Sequence, residues 1–253
     1  DEIAALVYEE WLARRVPDGH FAQAVEHMAC AHVYILMRWY DGETLQARCA
    51  RGARPTPHEI AALAGQLLRA VATLHRLGIV HRDIKPDNVH VGCDGRLRLL
   101  DLGVATTRAD ERAAPAAGAA PGQVDDMSFI DAPGTPSYMA PELFHGAPAD
   151  EASDLYACGV TLYHLLARKY PYGEIEPFQH PRFGEPVPPT RYRPDTPQWL
   201  ETIVLKACAR DPAQRFESAY EFLHALERGA ARPLARRRRT PLVERNPRLA
   251  LKI

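Results

Sequence analysis

Between Thr56 and Asp101 the chain lays down a long helix, a polar octet and a tight hairpin in direct succession. No other stretch constrains the fold as strongly. Thr56-Pro57-His58-Glu59 is a capping box with proline at the first helical position, so the Thr hydroxyl and the Glu carboxylate can each accept the other's backbone N–H. Ile60, Leu63, Leu67, Val71 and Leu74 follow at helical spacing and Gly78 supplies the stop. That pattern predicts a helix of about 20 residues, long enough to cross a domain. The octet His81-Arg82-Asp83-Ile84-Lys85-Pro86-Asp87-Asn88 comes next. Residues 89–91 read as a short strand, Gly92-Cys93-Asp94-Gly95 as a turn, and residues 96–100 as an alternating strand. Paired as a hairpin, these arms bring Asn88 and Asp101 together at the open end. Local geometry alone then makes a two-ligand site for a hard cation.

The rest of the chain frames this unit. Residues 3–16 read as a helix with Leu6 and Leu12 among its apolar positions, stopped by Pro17-Asp18-Gly19. Residues 31–40 are rich in aliphatic and aromatic side chains and predict a buried strand, broken by Asp41-Gly42. An Ala-, Gly-, Pro- and Asp-rich stretch at 108–126 predicts a mobile loop. Residues 154–169 are apolar almost all round, the mark of a buried central helix, and further helices are expected at 197–209 and 217–228. Five cysteines at 30, 49, 93, 158 and 208 form no Cys-x-x-Cys pair, which argues against a zinc site or disulfide framework and suits a reducing cytosol. No signal peptide or bilayer-length apolar run is present. The formal net charge of −1 hides an asymmetry: residues 232–252 carry eight Arg or Lys against Glu244 alone, so an acidic body bears a basic tail.

Phosphoryl transfer to a hydroxyl needs an oriented nucleophile, neutralised phosphate charge and a metal clamp. Asp83 suits the acceptance of a hydroxyl proton, Lys85 can point its ammonium at the transferring phosphate, and Asn88 and Asp101 offer the oxygen ligands Mg²⁺ prefers. The octet, Asp101-Leu102-Gly103 and Ala140-Pro141-Glu142 occur in this order and spacing, and the segment resembles the catalytic loop of eukaryotic-type serine/threonine protein kinases, bacterial in style. The resemblance spans about residues 1–229. It implies an α+β, two-lobed kinase-like fold with a complete, mostly helical C-lobe and a truncated N-lobe. Residues 1–40 would be the partial N-lobe (one helix and two strands), 41–229 the C-lobe and 230–253 a basic tail.

The same resemblance implies roles for particular residues. Asp83 is the base and Lys85 its charge-stabilising partner, lysine here being the serine/threonine pattern. Asn88 and Asp101 hold Mg²⁺, and Leu102 replaces the usual Phe while leaving the Asp intact. Thr135 hydrogen-bonds toward Asp83 and Lys85, Glu142 pairs with Arg215, and Asp154 braces the catalytic loop. Arg82 can dock a negative group of the activation segment, and Asp131 stands where related kinases carry a phosphorylated residue. Glu9, with Glu10 as fallback, takes the position of the lysine-pairing glutamate. Arg38 and Tyr40 fall at the hinge that offers backbone groups to the adenine of ATP.

Two family features are missing from these residues. No Gly-x-Gly-x-x-Gly occurs anywhere, and no lysine precedes Lys85. The chain opens at Asp1 rather than Met, which predicts a longer parent. The alternative is a truncated or pseudokinase module acting as a scaffold, against which the intact acid, lysine and metal ligands argue. Small-molecule phosphotransferases share the base and metal logic but not Thr135 or the Glu142–Arg215 pair. The expected partner is a Ser/Thr-bearing protein, and no nucleic acid. Arg236 to Arg239 close to Leu249-Ala250-Leu251 resemble the cytoplasmic flank of a membrane anchor, as in bacterial proteins that also carry a fused phosphatase domain. The expected location is the cytoplasm, at the cytoplasmic face of the membrane in a longer protein.

Overall fold

The computed structural model describes residues 2–25, 34–107, 136–176 and 181–231. The loop expected at 108–126, Asp131, Thr135 and the basic tail from 232 onward lie outside the described residues.

The capping box forms at both ends of its exchange: Glu59 N–H donates to Thr56 Oγ1 at 3.2 Å and Thr56 N–H to Glu59 Oε2 at 2.6 Å. It starts helix α3 (Pro57–Arg76); helices α1 (Glu2–Ala13) and α2 (Leu45–Ala50) precede it. The central apolar helix is α4 (Glu151–Ala167), which begins earlier than its apolar run because Asp150 and Ser153 cap each other reciprocally. Leu155, Tyr156, Val160, Leu162 and Tyr163 are buried to within 1% on successive faces of α4, as expected for a helix enclosed on all sides. It packs against α3 and α5 (Gln198–Ala207), and α6 (Ala219–Ala230) lies along α3 and α5.

Strand β1 (Gly42–Thr44) joins the hairpin β3 (Val89–Gly92) and β4 (Leu97–Leu99) in an antiparallel sheet of order β1-β3-β4. Strands β2 (Ile79–Val80) and β5 (Thr106–Thr107) pair separately, bracketing the octet and the hairpin. The register Val89↔Leu99 and Val91↔Leu97 turns these four side chains to the buried face. Gly42 sits opposite Gly92 at φ +143°, and a Cβ there would collide with the Val91 carbonyl and Gly92 Cα. Only glycine fits that close crossing.

Two expectations in the first forty residues are corrected. Helix α1 ends at Ala13 rather than 16, its last turn closing through the Arg15 N–H to Leu12 carbonyl bond at 2.9 Å. Of the strand predicted at 31–40, residues 34–40 are an extended segment rather than a strand, and residues 31–33 lie outside the described residues. Residues 34–40 make one isolated bridge, Met37 to Ala24, while Phe21 bridges Leu99. Two backbone bonds, Val25 N–H to Leu36 O and Arg38 N–H to Gln23 O, are its whole ladder among the described residues. Tyr34, Leu36 and Met37 remain about two-fifths exposed, so the apolar composition of the segment does not correspond to burial. Leu12, Val16 and Phe21 nevertheless belong to the same buried cluster as the helices, so a single core runs across residue 40. No helix of the described residues is long and apolar enough to cross a membrane.

Candidate active site

The octet leaves β2 and turns sharply at Arg82, one of three described non-glycine residues at positive φ (+69°). Such a conformation costs of order 1–3 kcal/mol and persists only where its surroundings hold it. The holding group is Asp154, in the first turn of α4 and 1% exposed. Its Oδ2 accepts the His81 N–H at 2.9 Å and its Oδ1 the Arg82 N–H at 2.9 Å, while His75 Nε2 lies 3.0 Å from Oδ2. His81 is fully buried; its Nδ1 accepts the Asp83 N–H at 3.3 Å, so Nε2 carries the proton and donates to the Leu100 carbonyl at 3.2 Å. This histidine ties the octet to the end of the hairpin.

Asp83 is thereby presented with Oδ2 already bonded twice, by Lys85 Nζ at 2.7 Å and Asn88 Nδ2 at 2.9 Å. Asn88 Nδ2 also donates to the Asp83 carbonyl at 2.9 Å, which uses both amide hydrogens and leaves Oδ1 as the free donor atom of a residue 8% exposed. The Leu100 N–H to Asn88 carbonyl bond of 2.8 Å continues the hairpin to its open end. There Asp101 also stands at positive φ (+60°), its Oδ1 accepting the Gly103 N–H at 3.0 Å. A Cβ on Gly103 would lie 3.1 Å from Asp101 Oδ1 and 3.2 Å from Glu9 Oε2, so the Glu9 and Asp101 carboxylates converge on that glycine. Burial pushes the Glu9 carboxyl above its ordinary range and the Asp101 charge pushes the same way, against a hydrogen bond from the Leu102 N–H. Among the described residues no group of three or more His, Cys, Asp or Glu could hold a metal. A cation here would rest on the Asn88 carboxamide and the Asp101 carboxylate, hard oxygens that suit Mg²⁺ with the remaining positions filled by water or phosphate.

Arg215 and Glu142, 73 residues apart, form a bidentate pair at 2.7 and 2.6 Å. Arg215 Nε and its two Nη atoms also donate to the carbonyls of Ala209 (2.8 Å), Ala152 (3.0 Å) and Arg210 (3.1 Å), so all five N–H donors are engaged. The neighbouring Ser137 Oγ accepts the Ile175 N–H at 3.0 Å and fixes the segment that follows Thr135. Arg82 lies within the octet, Glu9 beside Asp101 and Glu142 on Arg215, while Thr135 and Asp131 fall outside the described residues. Arg38 and Tyr40 stand apart from Asp83. Their side chains line a cavity with Cys93 and Asp94, at the turn end of the hairpin opposite Asn88 and Asp101. His75 was missed in the sequence. Its signal is a polar residue directly after Leu74, on the buried face of α3.

A family model described as protein kinase domain matches residues 20–225. The chain is 35% identical over 192 residues to a probable serine/threonine-protein kinase of Streptomyces coelicolor, covering 74% of this chain and 27% of that protein. It is 31% identical over 192 residues to serine/threonine-protein kinase PknB of Mycolicibacterium smegmatis (74% and 29%). With serine/threonine-protein kinase PrkC of Bacillus subtilis the identity is 32% over 190 residues (74% and 27%). The match therefore spans under a third of the length of these relatives. With a buried carboxylate bracing the octet, a doubly held Asp83 and a family match over most of its length, this chain belongs to the protein kinase family, in its bacterial serine/threonine branch.

Proposed function

We propose that the chain carries the catalytic centre of a serine/threonine protein kinase, moving the γ-phosphoryl group of ATP to a Ser or Thr hydroxyl of a protein. The observation that carries this reading is the Asp83 carboxylate, held on Oδ2 by Lys85 and Asn88 and free on Oδ1 to accept the hydroxyl proton. Lys85 Nζ, side by side with the base, is placed to meet charge on the transferring phosphate as well. Asn88 Oδ1 and Asp101 are the oxygens that would hold Mg²⁺, which when bound neutralises phosphate charge. Asp154 fixes the octet's backbone and the Glu142–Arg215 pair anchors the segment beside it. In this reading Thr135 would hydrogen-bond toward Asp83 and Lys85, and Arg82 would dock a negative group of the activation segment, for which Asp131 is the candidate. At the hinge the Arg38 N–H is taken by Gln23, whereas the Arg38 carbonyl and Tyr40 N–H have no backbone partner among the described residues and suit an adenine edge. Glu9, from α1, lies beside Asp101 and Gly103 at the metal end of the site. In the proposed organisation residues 1–40 contribute the small-lobe side, 41–229 the large lobe and 230–253 a basic tail at the cytoplasmic face of a membrane, within a longer protein.

The test pairs thermal unfolding with transfer. Mg·ATP at about 100 times its dissociation constant should stabilise the chain by roughly 2.7 kcal/mol, and Asp101→Ala should abolish the Mg-dependent part. Asp83→Asn should keep that shift while lowering phosphate transfer to a Ser/Thr protein substrate by about 10²–10⁴-fold. An upshift identical in Asp101→Ala, or transfer unimpaired in Asp83→Asn, removes the reading.

A further inference from the structure

At the turn end of the β3–β4 hairpin, away from Asn88 and Asp101, an open cavity of about 440 Å³ lies against the back of residues 38–41. Its wall is mostly charged. Much of that charge is already satisfied within the protein. Arg98 lies over the Tyr40 ring at 4.1 Å and donates to Asp94 Oδ2 at 2.9 Å; Arg96 Nε approaches the same oxygen at 3.9 Å. Asp41 Oδ1 accepts the Trp39 indole N–H at 3.2 Å. Three features of the wall are left over. The Trp39 ring is 84% exposed, more than any other large apolar side chain among the described residues. The Arg38 guanidinium leans on Tyr40 at 5.8 Å and has no carboxylate partner among the described residues. Asp18 makes no direct ion pair there, though its charge is felt at Arg98.

A tryptophan, a tyrosine and arginines around one concavity are the residue types that carry most of the binding energy at protein interfaces. An indole held by its N–H and open on its face is a rigid apolar anchor that loses little entropy on contact. The unpaired Arg38 beside it supplies the complementary charge, since a guanidinium with free N–H donors binds a carboxylate in a two-pronged fork. The polar lining, unlike the mostly apolar lining of small-molecule sites, fits a peptide better than a drug-like ligand.

We infer that this cavity docks an extended peptide segment of a partner protein in which an aliphatic or aromatic side chain adjoins a carboxylate. The apolar side chain covers Trp39, the carboxylate meets Arg38, and Asp18 accepts a donor from the same segment. The site uses none of Asp83, Lys85, Asn88 or Asp101; it shares residues 38–40 with the proposed adenine hinge, but through their side chains rather than the Arg38 carbonyl and Tyr40 N–H.

The experiment is a titration of labelled, capped peptides against the whole chain without nucleotide, read by fluorescence anisotropy. A panel built on a central Asp-Leu or Glu-Phe pair is compared with peptides carrying Asn for the acid or Ser for the apolar residue. The expected result is saturable binding that weakens about tenfold or more with either replacement, the scale of losing one interface hot spot. Trp39→Ser and Arg38→Gln should each lose the same discrimination while melting as the parent does, because both side chains are exposed. Added salt should weaken the acid-bearing peptides alone. Binding that ignores the acidic–apolar pair, binding unchanged in both variants, or no saturation into the millimolar range overturns the inference.

Discussion

Arg215 and Arg98 are both nearly buried, 3% and 7% exposed, and each lies over a tyrosine ring, Tyr156 at 4.8 Å and Tyr40 at 4.1 Å. Each is also paired with one carboxylate. Their hydrogen bonding separates them. Arg215 reaches Glu142 across 73 residues and spends every remaining donor on three carbonyls, knitting the segment before α4 to the turn after α5. Arg98 pairs with Asp94, four residues away in its own hairpin turn, and its Nε has no partner. The first guanidinium closes a long loop of chain and leaves nothing for a ligand. The second ties only its own turn and stands in the wall of an open cavity. Equal burial therefore conceals opposite roles, and the donor count exposes the difference.

The largest expected effect breaks the fully satisfied member. Arg215→Ala should destabilise the fold by about 3–5 kcal/mol, because it removes the buried Arg215 side chain and strands the half-buried Glu142 carboxylate together with three carbonyls. Arg215→Lys should recover only part of this, since an ammonium cannot reproduce the planar fork. Urea unfolding measures both; a loss below about 1 kcal/mol in Arg215→Ala would place Arg215 with Arg98 and dissolve the contrast. Asp154→Ala comes next. It leaves the His81 and Arg82 amides and the His75 ring without their acceptor, for an expected loss of about 3 kcal/mol, at roughly 1–3 kcal/mol per stranded donor less relaxation. Hydrogen exchange at the His81 and Arg82 amides should accelerate with it. Unchanged exchange would mean that the positive φ of Arg82 is held by something other than Asp154.

These contacts differ in how far the sequence discloses them. The Thr56–Glu59 cap and the hairpin are legible because their partners lie within a few residues, where spacing fixes geometry. Asp83, Lys85 and Asn88 are legible for the same reason: one short turn brings all three together. The Asp150–Ser153 cap is equally local, yet the apolar run that begins at Asp154 masks it, so the predicted α4 starts too late. Residues 31–40 fail differently. A run of Val, Tyr, Ile, Leu and Met states that a segment tolerates burial, while burial itself depends on what covers it, which no local pattern records. His75 owes its role to Asp154, 79 residues on, and the cavity behind Tyr40 is assembled from three separate stretches. The Glu142–Arg215 pair was anticipated only through the family resemblance, since nothing in the spacing of two charges 73 residues apart joins them.

The smallest effect sharpens the other side of the comparison. Asp94 is held well below the ordinary carboxylate value of 3.8, to about 2, first by the Arg98 hydrogen bond and then by the Arg96 backbone N–H. A carboxyl whose folded-state pKa is depressed stabilises the fold fully above its unfolded pKa and loses that contribution as pH falls through the folded one. Asp94→Asn keeps an oxygen for the Arg96 N–H, bonded at 3.0 Å in the parent, and removes only the charge. The variant should therefore melt slightly below the parent at about pH 6, and the gap should narrow steadily toward about pH 2.5 as the parent's Asp94 takes up its proton. A gap that stays constant with pH would trace the loss to the turn rather than to the ion pair. No gap at any pH would mean that Arg98 is seated by the Tyr40 ring alone, its carboxylate contributing no more than an exposed surface pair. Either result would widen the contrast with Arg215, whose seat depends on its carboxylate.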